Sequence, residues 1–201
     1  MDLRIEGLQR EGLEPVTLTI KAGECVGISG PSGAGKSLLL RTLADLDPYV
    51  GEVYLGEHPC AEIEAPAWRR QVMLLPAESQ WWYESVGEHF SKPDPRSFKA
   101  LGFDQEVLTW SVARLSTGER QRLALLRCLE QQPRVLLLDE PTASLDPEST
   151  KRVEAMIHDF LNDAQHSVVW VGHDSAQLLR VADRRFRMTD GVLEEQVGDT
   201  S

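Results

Sequence analysis

The stretch Gly30-Pro31-Ser32-Gly33-Ala34-Gly35-Lys36-Ser37 fits G-x-x-x-x-G-K-[ST], and its reading decides the fold. Before it, Cys25-Val26-Gly27-Ile28-Ser29 reads as a short buried strand. After it, Leu38-Leu39-Leu40-Arg41-Thr42-Leu43-Ala44 reads as a helix. Strand, glycine-rich turn and helix in that order make a phosphate-binding loop rather than an ordinary turn. The glycines let successive backbone N–H groups face one concavity, with the positive end of the helix dipole behind them. Lys36 would reach the β- and γ-phosphates, and the Ser37 hydroxyl would ligate Mg²⁺.

Outward from the loop, short apolar runs alternate with helical spacing. Val72-Met73-Leu74-Leu75, Val135-Leu136-Leu137-Leu138 and Val168-Val169-Trp170-Val171 read as buried strands. Gly118 to Gln132 and Pro147 to about Asn162 have helical periodicity, the second with Pro at a favoured first position. Edge strands are expected at Leu3-Arg4-Ile5 and Val16–Ile20, another strand at Gly51–Gly56, and a closing hairpin around Asp190-Gly191. The stretch from Ala77 to about Ser111, with Trp81-Trp82-Tyr83, Trp110 and prolines at 93 and 95, reads as inserted and mostly helical, with a loop near Ser91 to Arg96. The fold class is therefore α/β: a P-loop NTPase with a mainly parallel central sheet, an N-terminal antiparallel β part and an inserted small helical subdomain. One domain over 1–201 is expected, with its nucleotide-binding core at about 1–76 and 133–201 and the insert at about 77–132. Ligand then sits beyond the carboxyl ends of the strands, where Gly30, Asp139 and Gly172-His173 converge.

Composition narrows the partners. Of the 201 residues 26% are charged, and the formal net charge is −11, which opposes a nucleic-acid or anionic-lipid partner. Cys25, Cys60 and Cys128 are an odd number without metal-ligand spacing, so reduced thiols in a cytosolic protein are expected, with Cys25 and Cys128 in the core. No apolar run reaches a membrane span, and Met1–Glu6 lacks a signal-peptide pattern. Work at a membrane would require a partner that holds the protein there.

Asp139 follows four apolar residues, where a carboxylate can hold Mg²⁺, and Glu140 is placed to take a proton from a water attacking the γ-phosphate. Ser116-Thr117-Gly118-Glu119 is locally a capping box. Its S-x-G helix start, about 20 residues before a D-E strand end, resembles ATP-binding cassette (ABC) ATPases. The resemblance spans nearly the whole chain: Ile20–Glu24, the phosphate loop, Gly51–Gly56, Ser116, Leu136–Thr142, Ser144-Leu145-Asp146 and Gly172-His173-Asp174. It implies that Gly30 to Leu38 bind ATP and that Ser37 and Asp139 hold Mg²⁺. It also implies that Glu140, Lys36 and the switch His173 serve hydrolysis. Ser116, Gly118, Glu119 and Asp146 would complete the nucleotide site of a second copy or homologous cassette. Within the family, Met156-Ile157-His158 through Asp174 looks like small bacterial subunits linked to iron or metal export.

Departures from the family pattern are expected to matter. The Q-loop glutamine falls on Ala77, so Glu78 or Gln80 is expected to swing in. No aromatic precedes the phosphate loop, which leaves an aliphatic residue near Leu8 or Leu13 to pack adenine. Thr117 and Glu119 stand where Gly and Gln are commonest. Trp81-Trp82-Tyr83 lies where family members dock a membrane subunit, and serves either that docking or a small core. The implied protein is the ATP-hydrolysing subunit of an ABC transporter, cytoplasmic and held to the membrane by a permease. The rivals are a non-transport ABC ATPase and an ATP-binding regulatory module with slow hydrolysis.

Overall fold

Two β-sheets carry the fold in the computed structural model, which describes residues 1–162 and 164–196. The last positions of the expected domain, 197–201, lie outside the described residues. In chain order the elements are β1 (Leu3–Arg10), β2 (Leu13–Ile20), β3 (Cys25–Ser29), α1 (Lys36–Leu43), β4 (Val50–Leu55), β5 (His58–Pro59), α2 (Ala65–Gln71) and β6 (Val72–Leu75). There follow α3 (Pro95–Ala100), α4 (Thr117–Glu130), β7 (Val135–Asp139), α5 (Pro147–Leu161), β8 (Ser167–Val171), α6 (Ser175–Val181), β9 (Arg184–Thr189) and β10 (Val192–Glu195).

One sheet is antiparallel in the order β2-β1-β4-β5. The other runs β10-β9-β3-β8-β7-β6 and is parallel throughout except for the terminal hairpin. Alternation within the apolar strands decides how the layers stack. Val135 and Leu137 of β7, with Val169 and Val171 of β8, point into a core shared with α1 and the antiparallel sheet. Leu136, Leu138, Val168 and Trp170 point the other way, into a core shared with α4, α5 and α6. A strand buried on both faces must be apolar at every position, and β7 and β8 are fully buried along their length. All three cysteines are buried and free. Burial pushes the Cys128 thiol up to about 12, so it stays protonated.

Three expectations change. The first two strands are eight residues each rather than short edges, because β1 pairs on both sides. Helix α2 was not foreseen; Trp68 anchors it, fully buried, with its indole N–H on the Leu43 carbonyl at 2.9 Å. The insert is less helical than expected. Between β6 and α4 it holds one six-residue helix, three short 3₁₀ turns and irregular backbone. Asp94 caps α3 through Arg96 N and Ser97 N, so the helix begins inside the expected loop. Prolines and closely spaced turn residues stop longer helices there.

Candidate nucleotide site

Gly30 leaves β3 with φ 148°, and a Cβ there would overlap the Met188 carbonyl of β9. Gly33 and Gly35 also take positive φ, at 79° and 104°, and a Cβ on Gly35 would come 2.9 Å from Leu13 Cδ2. Only glycine fits a loop this close to two strands. Gly191 N donates to Ala34 O at 3.0 Å, tying the loop to the terminal hairpin. Lys36 is the first residue of α1 and is buried. Its Nζ donates to the Gly30 and Pro31 carbonyls at 2.9 and 2.8 Å. Ser37 is exposed at the helix start and Leu38 half-buried.

Asp139 closes β7 beside this helix start, and its carboxylate accepts a hydrogen bond from the Ser37 hydroxyl. Burial pushes its pKa up, and the neighbouring Glu140 charge pushes the same way. The Ser37 bond and the Lys36 and His173 charges pull against them. Glu140 sits in the left-handed region with φ 50°. That turn lets its N–H donate to Val171 O at 3.0 Å, while its carboxylate meets His173 Nε2 at 2.7 Å. Non-glycine residues pay strain for such a backbone, which persists where surrounding structure imposes it. His173 follows β8, so three strand ends bring Lys36 and Ser37, Asp139 and Glu140, and His173 to one place, as the sequence predicts.

The donor set suits Mg²⁺ with a nucleotide. A buried carboxylate and a hydroxyl are hard oxygen ligands, and Mg²⁺ typically takes one or two such groups plus phosphate oxygens. No cluster of three or more His, Cys, Asp or Glu among the described residues could hold an ion without that help.

The second set of predicted residues stands apart. Ser116 caps α4: its Oγ accepts from Glu119 N at 3.2 Å, and Glu119 Oε2 takes Ser116 N at 2.8 Å. Ser116 Oγ also donates to that carboxylate at 2.9 Å, so the charge of Glu119 is occupied within the cap. Gly118 lies against the turn before α5, where a Cβ would come 3.0 Å from Leu145 Cδ2 and 3.1 Å from Ser144 O. Asp146 caps α5 through Glu148 N and Ser149 N. Hydrogen bonds, with Ser149 foremost, hold its pKa down at about 2. No hydrogen bond or ion pair among the described residues joins Ser116, Gly118, Glu119 or Asp146 to the group around Lys36. The predicted site residues thus fall into two separate groups on one chain.

Ala77, Glu78 and Gln80 are exposed, and neither the Glu78 nor the Gln80 side chain hydrogen-bonds to the group around Lys36 among the described residues. Leu8 and Leu13 themselves are buried in the core, so neither offers a face for a base. The aromatic run divides. Trp81 packs against the second core, whereas Trp82 and Tyr83 are 63% and 51% exposed. Sequence reasoning missed Gln121, a buried amide on α4 whose Nε2 donates to Pro76 O at 3.0 Å and fastens the expected Q-loop to the signature helix. It also missed Gln177, which accepts from Thr142 Oγ1 at 2.9 Å and donates to Glu154 at 2.8 Å. A glutamine among arginines gives no sign that it will be buried.

A family model described as ABC transporter matches residues 13–143. The aliphatic sulfonates import ATP-binding protein SsuB of Pseudomonas entomophila (strain L48) is 39% identical over 200 residues, covering 96% of this chain and 73% of that protein. The probable iron export ATP-binding protein FetA of Escherichia coli (strain K12) is 32% identical over 179 residues, with 83% and 80% covered. Among solved structures, a dimeric ATP-binding cassette in a post-hydrolysis state bound to ADP and Pi superposes with a TM-score of 0.82. It is 22% identical and covers 98% of this chain and 99% of its own.

Proposed function

The chain belongs to the ABC transporter family, and from that premise we propose that it is the ATP-hydrolysing subunit of a membrane transporter, working as a pair of cassettes. It binds ATP with Mg²⁺ and is an ATPase. The observation that carries the paired reading is the separation of the two half-sites. Lys36, Ser37, Asp139, Glu140 and His173 gather at three strand ends, while the Ser116 cap of α4 shares no hydrogen bond or ion pair with them among the described residues. A second copy, or a homologous cassette, supplies the missing half.

Bound ATP–Mg²⁺ contributes the electrophilic γ-phosphorus and the charge that polarises it. Glu140 accepts the proton of the attacking water as its oxygen bonds to that phosphorus and the bond to the β-phosphate oxygen breaks. His173 Nε2, 2.7 Å from the Glu140 carboxylate, orients that base. Lys36 supplies positive charge at the helix start, and Ser37 and Asp139 hold Mg²⁺. Ser116 and Gly118 present the N-terminus of α4 to the partner's nucleotide. Glu140→Gln is expected to lower steady-state ATP turnover by about 10²-fold or more while leaving ATP binding intact. Equal and fast turnover of both proteins removes Glu140 as base. A wild-type rate as slow as the variant's marks the slow regulatory module instead.

No helix among the described residues is long and apolar enough to cross a membrane. The likeness to transporter ATP-binding subunits supports a permease that holds the protein at the cytoplasmic face. The groove that receives it is lined by Leu46, Met73, Trp82, His89 and Arg127. Exposed Trp82, backed by the Arg127 guanidinium 4.7 Å from its ring centroid, is the anchor there. Metal or iron export is supported by the likeness to FetA, and sulfonate import by the higher identity to SsuB. Uptake of alkyl sulfonate and efflux of iron, compared between a deletion strain and its parent, separate the two cargoes.

A further inference from the structure

Away from the nucleotide site, a cleft of about 840 Å³ opens between α3, the end of α4 and the outer face of α5. Its floor is apolar. Leu129, Met156 and Phe160 are half-buried against the second core. The Phe160 ring lies almost flat on the His166 imidazole, with centroids 4.3 Å apart and planes at 26°. Its rim is cationic, with Arg96, Arg134, Lys151 and Arg152 facing two carboxylates among the described residues, Glu148 and Asp159. Glu148 is already paired with Arg152 at 2.5 Å. Arg134 donates to the neutral Gln165 amide at 2.8 Å. Arg96 and Lys151 form no salt bridge among the described residues.

Such a rim is conspicuous on a chain of net charge −11, because the surface as a whole repels anions and this cleft reverses the sign locally. The overall field disfavours a polyanion, and the floor favours a ligand with an apolar body. We propose that this cleft binds an amphipathic organic monoanion, its aliphatic or aromatic body on Phe160, Met156 and Leu129 and its carboxylate or sulfonate head on Arg96 and Lys151. Arginine and lysine stems cover the walls, and their cationic heads meet the anion at the mouth. The proposal stands independently of the transporter reading.

Calorimetric titration of the whole chain with sodium decanesulfonate, kept below its micelle-forming concentration, tests it. One saturable site with Kd of roughly 10–100 µM is expected. Two variants at exposed positions probe the two halves of the cleft: Arg96→Glu with Lys151→Glu reverses the rim, and Ala155→Trp fills the space. Each should weaken binding at least about tenfold, since 1.4 kcal/mol is one decade. Circular dichroism that matches wild type shows that the fold is kept. Decylammonium, with the wrong head charge, and methanesulfonate, with no body, should not bind. Unsaturable uptake, binding unchanged in Ala155→Trp, or equal binding of decylammonium overturns the proposal.

Discussion

The phosphate loop and the segment from Pro76 to Leu115 belong to one chain but hold their shapes by different means. The loop is fixed by backbone. Glycines with positive φ fit against the Met188 carbonyl and Leu13, and strands buried on both faces lie beneath them. The other segment is fixed by side chains that reach for backbone. His89 accepts Trp82 N and Tyr83 N on Nε2, at 3.1 and 3.0 Å, and its Nδ1 bonds to Ser85 O at 3.0 Å. Arg127 donates to Gln80 O at 3.0 Å and lies over both Trp81 and Trp82. Gln121 holds Pro76, and Glu130 takes the N–H groups of Ser91 and Lys92. A region closed by backbone sterics has one shape. A region held by a few polar clamps can release them one at a time, which suits it to report on a partner.

Four substitutions break or sharpen this contrast. Gly30→Ala should cost the most, about 3 kcal/mol or more, because its Cβ meets a strand carbonyl that cannot withdraw. ATP binding should be lost with it, as urea unfolding and nucleotide titration would show. A soluble protein with normal affinity would mean that the loop is not sterically closed. His89→Ala should cost roughly 2–3 kcal/mol, since two N–H groups lose their shared acceptor. Its effect should stay local, with Trp82 fluorescence shifted and ATP affinity within about twofold of wild type. Lost ATP binding would show that the clamp and the loop are one unit.

Asp139→Asn should act in the opposite direction, raising stability by about 1 kcal/mol while ending turnover. The buried carboxylate has its pKa raised above the ordinary 3.8, so its ionised form opposes folding at neutral pH. Below the unfolded value both states are protonated and the difference disappears. The gain should therefore be seen in thermal melts at pH 7 and be absent near pH 3. Trp82→Ala should cost least, under about 0.5 kcal/mol, because the ring is mostly exposed. Basal ATPase should be unchanged and permease capture lost; a large drop in the melting midpoint would assign the ring to the core.

The same contrast explains what the sequence revealed. Apolar runs ended by Ser29, Asp139 and Val171 are legible because burial on both faces leaves no choice of residue, so the site at their ends could be placed beforehand. Positive φ at Gly30, Gly33 and Gly35 is written in the residue type. The bond between His173 and Glu140 was not legible in detail, because it depends on Glu140 turning left-handed. Residues 77 to about 111 read as mostly helical because polar clamps have no periodicity. Nothing in the identity of His89, Arg127 or Gln121 announces a main-chain partner far along the chain.

The paired reading proposed above requires a second chain, and sedimentation of Glu140→Gln with ATP–Mg²⁺ tests it most directly. Slowed hydrolysis should trap a dimer that dissociates when Ser116→Arg is added to the same chain. A Glu140→Gln protein that binds ATP yet sediments as a monomer, or a dimer indifferent to Ser116→Arg, contradicts the account.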